Sequence, residues 1–212
     1  MEFNNELENN LFKPEDVARY TSVISRDNVR DLSRLEQNRV WIMLPEEFYT
    51  LTQQMCLTEK ETQGMLILKK GTESFNRGRF SVEAMISVGV GTEGAVNIDK
   101  TKIVALKKLF DNHQSEITKI DFHTHTQATI QKYGAYYNNN FSDGDNKSIS
   151  NAVNNYKKHN HFLKYMHVLF TPTNILTFGE DRPQFAVTKF KDEAKPLEKQ
   201  EYWQNKFNEY LR

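Results

Sequence analysis

Two histidines, His123 and His125, stand one residue apart at the end of the apolar stretch "KIDFHTH", in a chain with six histidines in total. Side chains alternate between the two faces of a strand, so both imidazoles are expected on the same face. Two such imidazoles can bind one zinc ion, but a zinc ion that activates water needs a third protein ligand and an open position. Without that third ligand, the pair is a solvated strand end.

The third ligand is expected in the segment "FSDGD", where Asp143 and Asp145 are the candidates. The same segment favours a helix start, because Ser142 followed three residues later by Asp145 resembles a capping box. The two interpretations are compatible, since the first turn of a helix is a rigid place from which to present a carboxylate. A calcium loop is set aside because the glutamate required at its twelfth position is missing.

The elements that must position these residues follow from the hydrophobic pattern. Apolar or β-rich segments predict strands at "VWIMLP", "TQGMLILKKG", "RFSVEAMISVGVG", "ITKIDFHTH", "YMHVLFTP", "ILTFGE" and "QFAVTKF". Helices are predicted at "EEFYTLTQQMCL", "DKTKIVALKKLFDNH", "SDGDNKSISNAVNNYKKH" and residues 192–212, the last interrupted at Pro196. This order predicts an α/β (α+β) protein with a central mixed sheet flanked by helices.

The domain organisation is expected to be one main domain with two extensions. Residues 1–39 are polar, and the helical character of "KPEDVARYTSVI" and "RDNVRDLSRLEQ" predicts an N-terminal helical extension. Residues 40–190 form the main domain, and residues 191–212 form a C-terminal helix. Either terminal helix could contact a protein partner.

The composition limits the function classes. Lys plus Arg and Asp plus Glu number 28 each among 212 residues, so there is no electrostatic reason to expect a nucleic acid or a membrane as partner. The single cysteine excludes an intramolecular disulfide and a cysteine-rich zinc site. The start "MEFNNELENN" has no signal-peptide character and no long apolar run follows, so a cytoplasmic location is expected.

The segments "ETQGMLIL", "DFHTHT" and "FSDGD" together resemble the signature of the JAMM zinc metalloproteases of the MPN (JAB) domain class. That signature is an upstream glutamate, His-[Ser/Thr]-His and Ser-x-x-Asp, and the resemblance covers roughly residues 40–190. It implies an MPN/JAB-like fold and an isopeptidase acting after the C-terminal tail of ubiquitin or a ubiquitin-like protein. In this sequence it implies one zinc ion bound by His123, His125 and Asp145, with Glu61 as general base and Ser142 as oxyanion donor.

The chain departs from the family pattern between its metal ligands. Residues 126–141 separate His125 from Ser142, which is longer than usual, and Thr126 stands where the family commonly has proline. An inserted loop, Gln127–Asn140, accounts for the length, and loop closure entropy grows slowly with length. Its tyrosines predict either a rim of the active site or a disordered surface loop. If the insertion displaces Asp145, the domain is a catalytically silent MPN scaffold.

A second resemblance gives a rival function. "DFHTHT" followed by "SDG" is similar to the first motif of PHP-type metallophosphoesterases, which use two or three metal ions. Only residues 122–212 follow Asp121, too few for that barrel, so the zinc isopeptidase is favoured.

The remaining polar and reactive residues receive lesser roles. Glu59 is the fallback base, and Asp121 is either a support for the ligands or a strand-end charge. Glu83 is a weak candidate for the catalytic acid. The other candidates are expected to be packing or surface residues: Thr124, Cys56, His159, His161 and His167.

Overall fold

The computed structural model describes residues 11–29, 40–69, 79–92, 95–158, 165–188 and 194–212. In these ranges the chain is a mixed α/β protein with a central mixed sheet and flanking helices. The strands are β1 (Thr21–Ser25), β2 (Trp41–Pro45), β3 (Glu61–Lys69), β4 (Arg79–Thr92), β5 (Ala95–Ile98), β6 (Ile117–Thr124), β7 (His167–Phe170), β8 (Asn174–Phe178) and β9 (Gln184–Thr188). The helices are α1 (Glu46–Leu57), α2 (Lys100–Asn112), α3 (Gln127–Tyr133), α4 (Asp143–Lys158) and α5 (Ala194–Leu211), with 3-10 helices at Pro14–Tyr20 and Ala135–Asn138.

Strand β6, which carries the histidine pair, lies in the middle of the sheet. The order is β1-β8-β7-β6-β3-β4-β2-β9, and β5 pairs with β4. Strand β6 is antiparallel to β3 and parallel to β7. Gln63 of β3 is the partner of His123, so Glu61, two residues earlier, lies on the same face as the histidines.

The cores on the two sides of the sheet decide which helix the histidines face. Leu66 and Phe122 belong to a core shared with α1, whereas Ile67 belongs to a core under α2 and α5. Leu169 of β7 belongs to a third core, with α4. His123 is the sheet partner of Leu169, and paired residues share a face. His123 therefore points to the side of the sheet on which α4 packs.

Gly64 allows β3 to pack closely between its neighbours. A Cβ at this position would lie 2.3 Å from the Ile86 carbonyl oxygen and 2.7 Å from the ring of Phe122. No side chain fits there without moving β4 or the buried phenylalanine of β6. The glycine after the predicted base thus keeps β3 and β6 in register at the site.

Helix α5 is held on the sheet by a buried carboxylate. Glu83 of β4 accepts hydrogen bonds from Lys199 Nζ at 2.9 Å and from Trp203 Nε1 at 3.1 Å. Glu83 is therefore a structural anchor of the C-terminal helix, and it does not belong to the histidine site. The suggestion that it is the catalytic acid is wrong.

The fold corrects three predictions about the elements. Thr21–Ser25 is a strand paired with β8, so the N-terminal segment is not a purely helical extension; its β-branched residues Thr21, Val23 and Ile24 favour a strand. Strand β5 and helix α3 were not predicted. Pro196 lies in the first turn of α5, where it does not interrupt the helix.

Residues 1–10 and 30–39 lie outside the described residues. None of the helices in the described ranges is both long and apolar enough to cross a bilayer.

Candidate metal centre

The side chains of His123, His125 and Asp145 converge between the end of β6 and the first turn of α4. His123 Nε2 lies 3.1 Å from Asp145 Oδ1, and His125 Nε2 lies 3.1 Å from Asp145 Oδ2. One ligand atom of each residue lies within 4.8 Å of the other two. The histidines are buried, with 6% and 3% of their surface exposed, and the carboxylate is half-buried. The insertion therefore does not displace Asp145.

The start of α4 presents this carboxylate through a capping box. Ser142 N donates to Asp145 Oδ2 at 2.8 Å, and Asp145 N donates to Ser142 Oγ at 3.1 Å. The Ser142 hydroxyl also donates to Asp145 Oδ2 at 2.7 Å. Both sequence interpretations of "FSDGD" therefore apply at once. Asp143 is exposed and lies outside the ligand group.

The backbone of the insertion selects the tautomer of His125. Its Nδ1 lies 3.0 Å from the Tyr137 carbonyl oxygen, which can only accept a hydrogen bond. The proton of the neutral imidazole is therefore on Nδ1, and the Nε2 lone pair points toward Asp145 and His123. This is the arrangement that a metal-binding histidine needs.

The histidines and the carboxylate affect the protonation of Asp145 and His125. Burial alone would raise the pKa of Asp145, but the charges of His123 and His125 and the hydrogen bond to His125 hold it well below its usual range. Burial opposes the protonation of His125, yet its hydrogen bond to Asp145 and the charge of that carboxylate raise its pKa. In the metal-free site the carboxylate of Asp145 therefore favours the protonated form of His125.

The donor set fits one divalent cation. His123 Nε2 is buried 3.1 Å from Asp145 Oδ1 but makes no hydrogen bond among the described residues. An unpaired buried nitrogen is costly unless something else satisfies it. Two imidazole nitrogens and one carboxylate oxygen are donors that suit zinc. These residues form the only such cluster of metal-binding side chains in the described ranges.

Neither protein-family models nor curated proteins give a match to this chain. The functional assignment therefore depends on the site itself.

Glu61 lies beside the ligand group and does not belong to it. Its side chain is 4% exposed, and its charge contributes to the raised pKa of His125. The Thr129 hydroxyl donates to Glu61 Oε1 at 2.6 Å, and Thr126, the N-cap of α3, contacts the same hydroxyl at 3.2 Å. Glu59, the fallback base, is exposed. Glu61 thus lies on the same face of the sheet as the histidines, near enough for its charge to act on His125.

The insertion is an ordered part of the site. The Asn138 carbonyl oxygen accepts hydrogen bonds from Thr171 Oγ1 and Asn174 Nδ2, each at 3.2 Å, which ties the 3-10 helix to the end of β7. The ring of Tyr137 packs against His125 with centroids 5.6 Å apart. Tyr133 and Tyr136 remain largely exposed beside it. The contact of Tyr137 with His125 agrees with the prediction of an aromatic rim at this site.

Two residues, His167 and Thr129, contact the site although the sequence pattern did not indicate it. His167, expected to be a packing or surface residue, is buried with its Nε2 only 2.7 Å from His123 Nδ1. Thr129 was not considered, because nothing in the sequence connects an inserted threonine with a glutamate three strands earlier. Thr124 fulfils its packing role, since its hydroxyl accepts a hydrogen bond from Thr62 N at 2.9 Å, and Cys56 is buried. His159 and His161 lie outside the described residues.

Proposed function

We propose that this chain is a JAMM-type zinc metallopeptidase of the MPN class. It hydrolyses the isopeptide or peptide bond that follows the C-terminal tail of ubiquitin or a ubiquitin-like protein. The observation that carries the proposal is the convergence of His123, His125 and Asp145, with the buried carboxylate of Glu61 beside them. These residues come from "ETQGMLIL", "DFHTHT" and "FSDGD", the three segments that resemble the JAMM signature, and this supports the proposal.

The residues around the ligands have distinct roles in this proposal. A zinc ion held by His123, His125 and Asp145 would supply a Lewis acid that lowers the pKa of a water molecule toward about 7. Glu61 would be the proton acceptor beside it and would pass the proton to the leaving amine. Because Thr129 occupies Oε1, the proton is expected on Oε2. Ser142 N holds Asp145 in place, and the Ser142 hydroxyl, which donates to Asp145 Oδ2 in the free site, would turn its proton to the developing oxyanion.

A small groove lies between the N-terminal segment and the insertion, and its lining includes Val23, Tyr136, Phe141 and Asn146. Its volume of about 100 Å³ is below that of a typical ligand pocket, so it could hold only a small part of an extended tail. No charged side chain lines it. Phe141 and Asn146 flank the Ser142–Asp145 turn in sequence, so a peptide in this groove would pass close to the ligands.

The two alternative functions are less well supported. A silent scaffold was expected only if Asp145 were displaced, and it remains 3.1 Å from both histidines. A PHP-like phosphoesterase needs ligands for two or three ions, whereas the described ranges contain one cluster.

The first prediction concerns zinc content and peptidase activity of the purified chain. We expect one tightly bound zinc ion and cleavage of a ubiquitin or ubiquitin-like conjugate. Glu61→Gln should keep the zinc and lose at least about 100-fold in cleavage rate, because it removes the general base. His123→Ala should lose both. Elemental analysis and a gel-based cleavage assay measure the two properties.

Glu59→Gln is the matched control, since it removes an exposed carboxylate two residues from Glu61. It should behave as wild type. Full cleavage by Glu61→Gln would remove the assignment of the base, and a chain without zinc would contradict the proposal as a whole.

A further inference from the structure

A row of buried polar side chains leads away from the metal centre along β6 and β7. His123 Nδ1 lies 2.7 Å from His167 Nε2, and His167 Nδ1 lies 3.1 Å from the Tyr165 hydroxyl. The carboxylate of Asp121 is near enough to that hydroxyl to raise its pKa. Asp121 and His167 are sheet partners on these parallel strands, which explains why the four side chains lie on one face.

The hydrogen bonds of this row have only one consistent direction when a metal is bound. His123 must offer its Nε2 lone pair to the metal, so its proton is on Nδ1 and is donated to His167 Nε2. His167 then carries its own proton on Nδ1 and donates it to the Tyr165 oxygen. The hydroxyl proton of Tyr165 is left for Asp121, which accepts it.

The two inner members of the row, His167 and Tyr165, are both buried, so water has little access to compete with their hydrogen bonds to each other and to His123. The other carboxylate oxygen, Asp121 Oδ1, is buried without a partner among the described residues. Such a carboxylate costs stability, which favours a functional role over a packing role.

We propose that His167, Tyr165 and Asp121 are positioning residues that form a relay to His123, fixing its tautomer and strengthening it as a metal ligand. A carboxylate behind a ligating histidine usually contacts it directly. In this chain two side chains, His167 and Tyr165, extend that arrangement. The inference rests on the proposed function for the metal itself, but it concerns affinity and not the reaction.

The second prediction is a loss of zinc affinity when the relay is cut. Tyr165→Phe removes one hydroxyl and keeps the packing ring, and Asp121→Asn removes the charge and keeps the shape. Each should weaken zinc binding by about tenfold, the lower end for changes of this kind. The double variant should bind no more weakly than the single variants, because one cut already disconnects the carboxylate. Competition with a chromophoric chelator measures the dissociation constants.

Tyr156→Phe is the matched control. Its ring packs 5.5 Å from that of Tyr165, but its hydroxyl is outside the relay, so zinc affinity should stay within about twofold of wild type. Nitrogen-15 spectra of the zinc-loaded wild type should show the His167 proton on Nδ1.

The outcomes separate the relay from the proposed function. Zinc-free wild-type protein would overturn both. Zinc-loaded protein with unchanged affinity in Tyr165→Phe and Asp121→Asn would overturn the relay alone. Losses that add in the double variant, or a His167 proton on Nε2, would do the same.

Discussion

At the scale of single residues, the candidate centre depends on groups that orient His125, Asp145 and Glu61. The Tyr137 carbonyl oxygen determines which nitrogen of His125 is free. Ser142 holds Asp145 through three hydrogen bonds. The Thr129 hydroxyl holds Glu61. The insertion supplies the first and the last of these contacts.

The third prediction tests Thr129. Thr129→Val keeps the shape of the side chain but removes the hydrogen bond to Glu61 Oε1, so the carboxylate loses its orientation. Cleavage should fall by about tenfold or more, a part of what a positioned base contributes, while zinc content stays unchanged. Thr129→Ser keeps the hydroxyl and should retain most of the activity. Equal rates for the valine variant and wild type would show that Glu61 does not need this contact.

At the scale of elements, the site requires β6 and α4 to meet on one side of the sheet. Strand β6 supplies both histidines, and the third core packs α4 against β7 beside it. Helix α5 lies on the same side of the sheet but in a different core, where Glu83 anchors it. The C-terminal helix is therefore expected to contribute to stability without affecting the metal centre.

The fourth prediction tests whether helix α5 contributes to the stability of the fold without affecting zinc binding. Glu83→Gln removes the charge that pairs with Lys199 and weakens the acceptor for Trp203, so the free energy of unfolding should fall by about 1–3 kcal/mol. Zinc affinity should not change. Glu209→Gln breaks an exposed ion pair on the same helix and should have no measurable effect. Denaturant unfolding measures both, and a loss of zinc in Glu83→Gln would contradict the independence of α5.

At the scale of the whole molecule, zinc and protons should compete to stabilise the fold. The pKa of His125 is raised in the metal-free folded protein. Its protonated form therefore contributes stability below the unfolded value of about 6.5, and this contribution is lost as the pH rises through the raised value. Zinc needs the unprotonated nitrogen, so its contribution grows over the same interval.

The fifth prediction follows from this competition. At equal free zinc, the increase in melting temperature over a chelator-treated sample should be larger at pH 8 than at pH 6. At 100 times the dissociation constant the gain is about 2.7 kcal/mol. His123→Ala should show no zinc-dependent increase at either pH. A gain that is independent of pH would mean that His125 does not exchange a proton for the metal.

Local sequence patterns were enough to predict the main elements and the cluster of His123, His125 and Asp145. Alternation placed His123 and His125 on one face, and the Ser-x-x-Asp turn predicted both the start of α4 and the presentation of Asp145. The tertiary structure decided the rest. Only the pairing of β6 with β7 brings His167 to His123, and only the docking of the insertion brings Thr129 to Glu61. These contacts join residues 44 and 68 positions apart. The periodicity of a helix or a strand relates only residues that are close in sequence. The contacts of His167 with His123 and of Thr129 with Glu61 could therefore not be predicted from the sequence pattern.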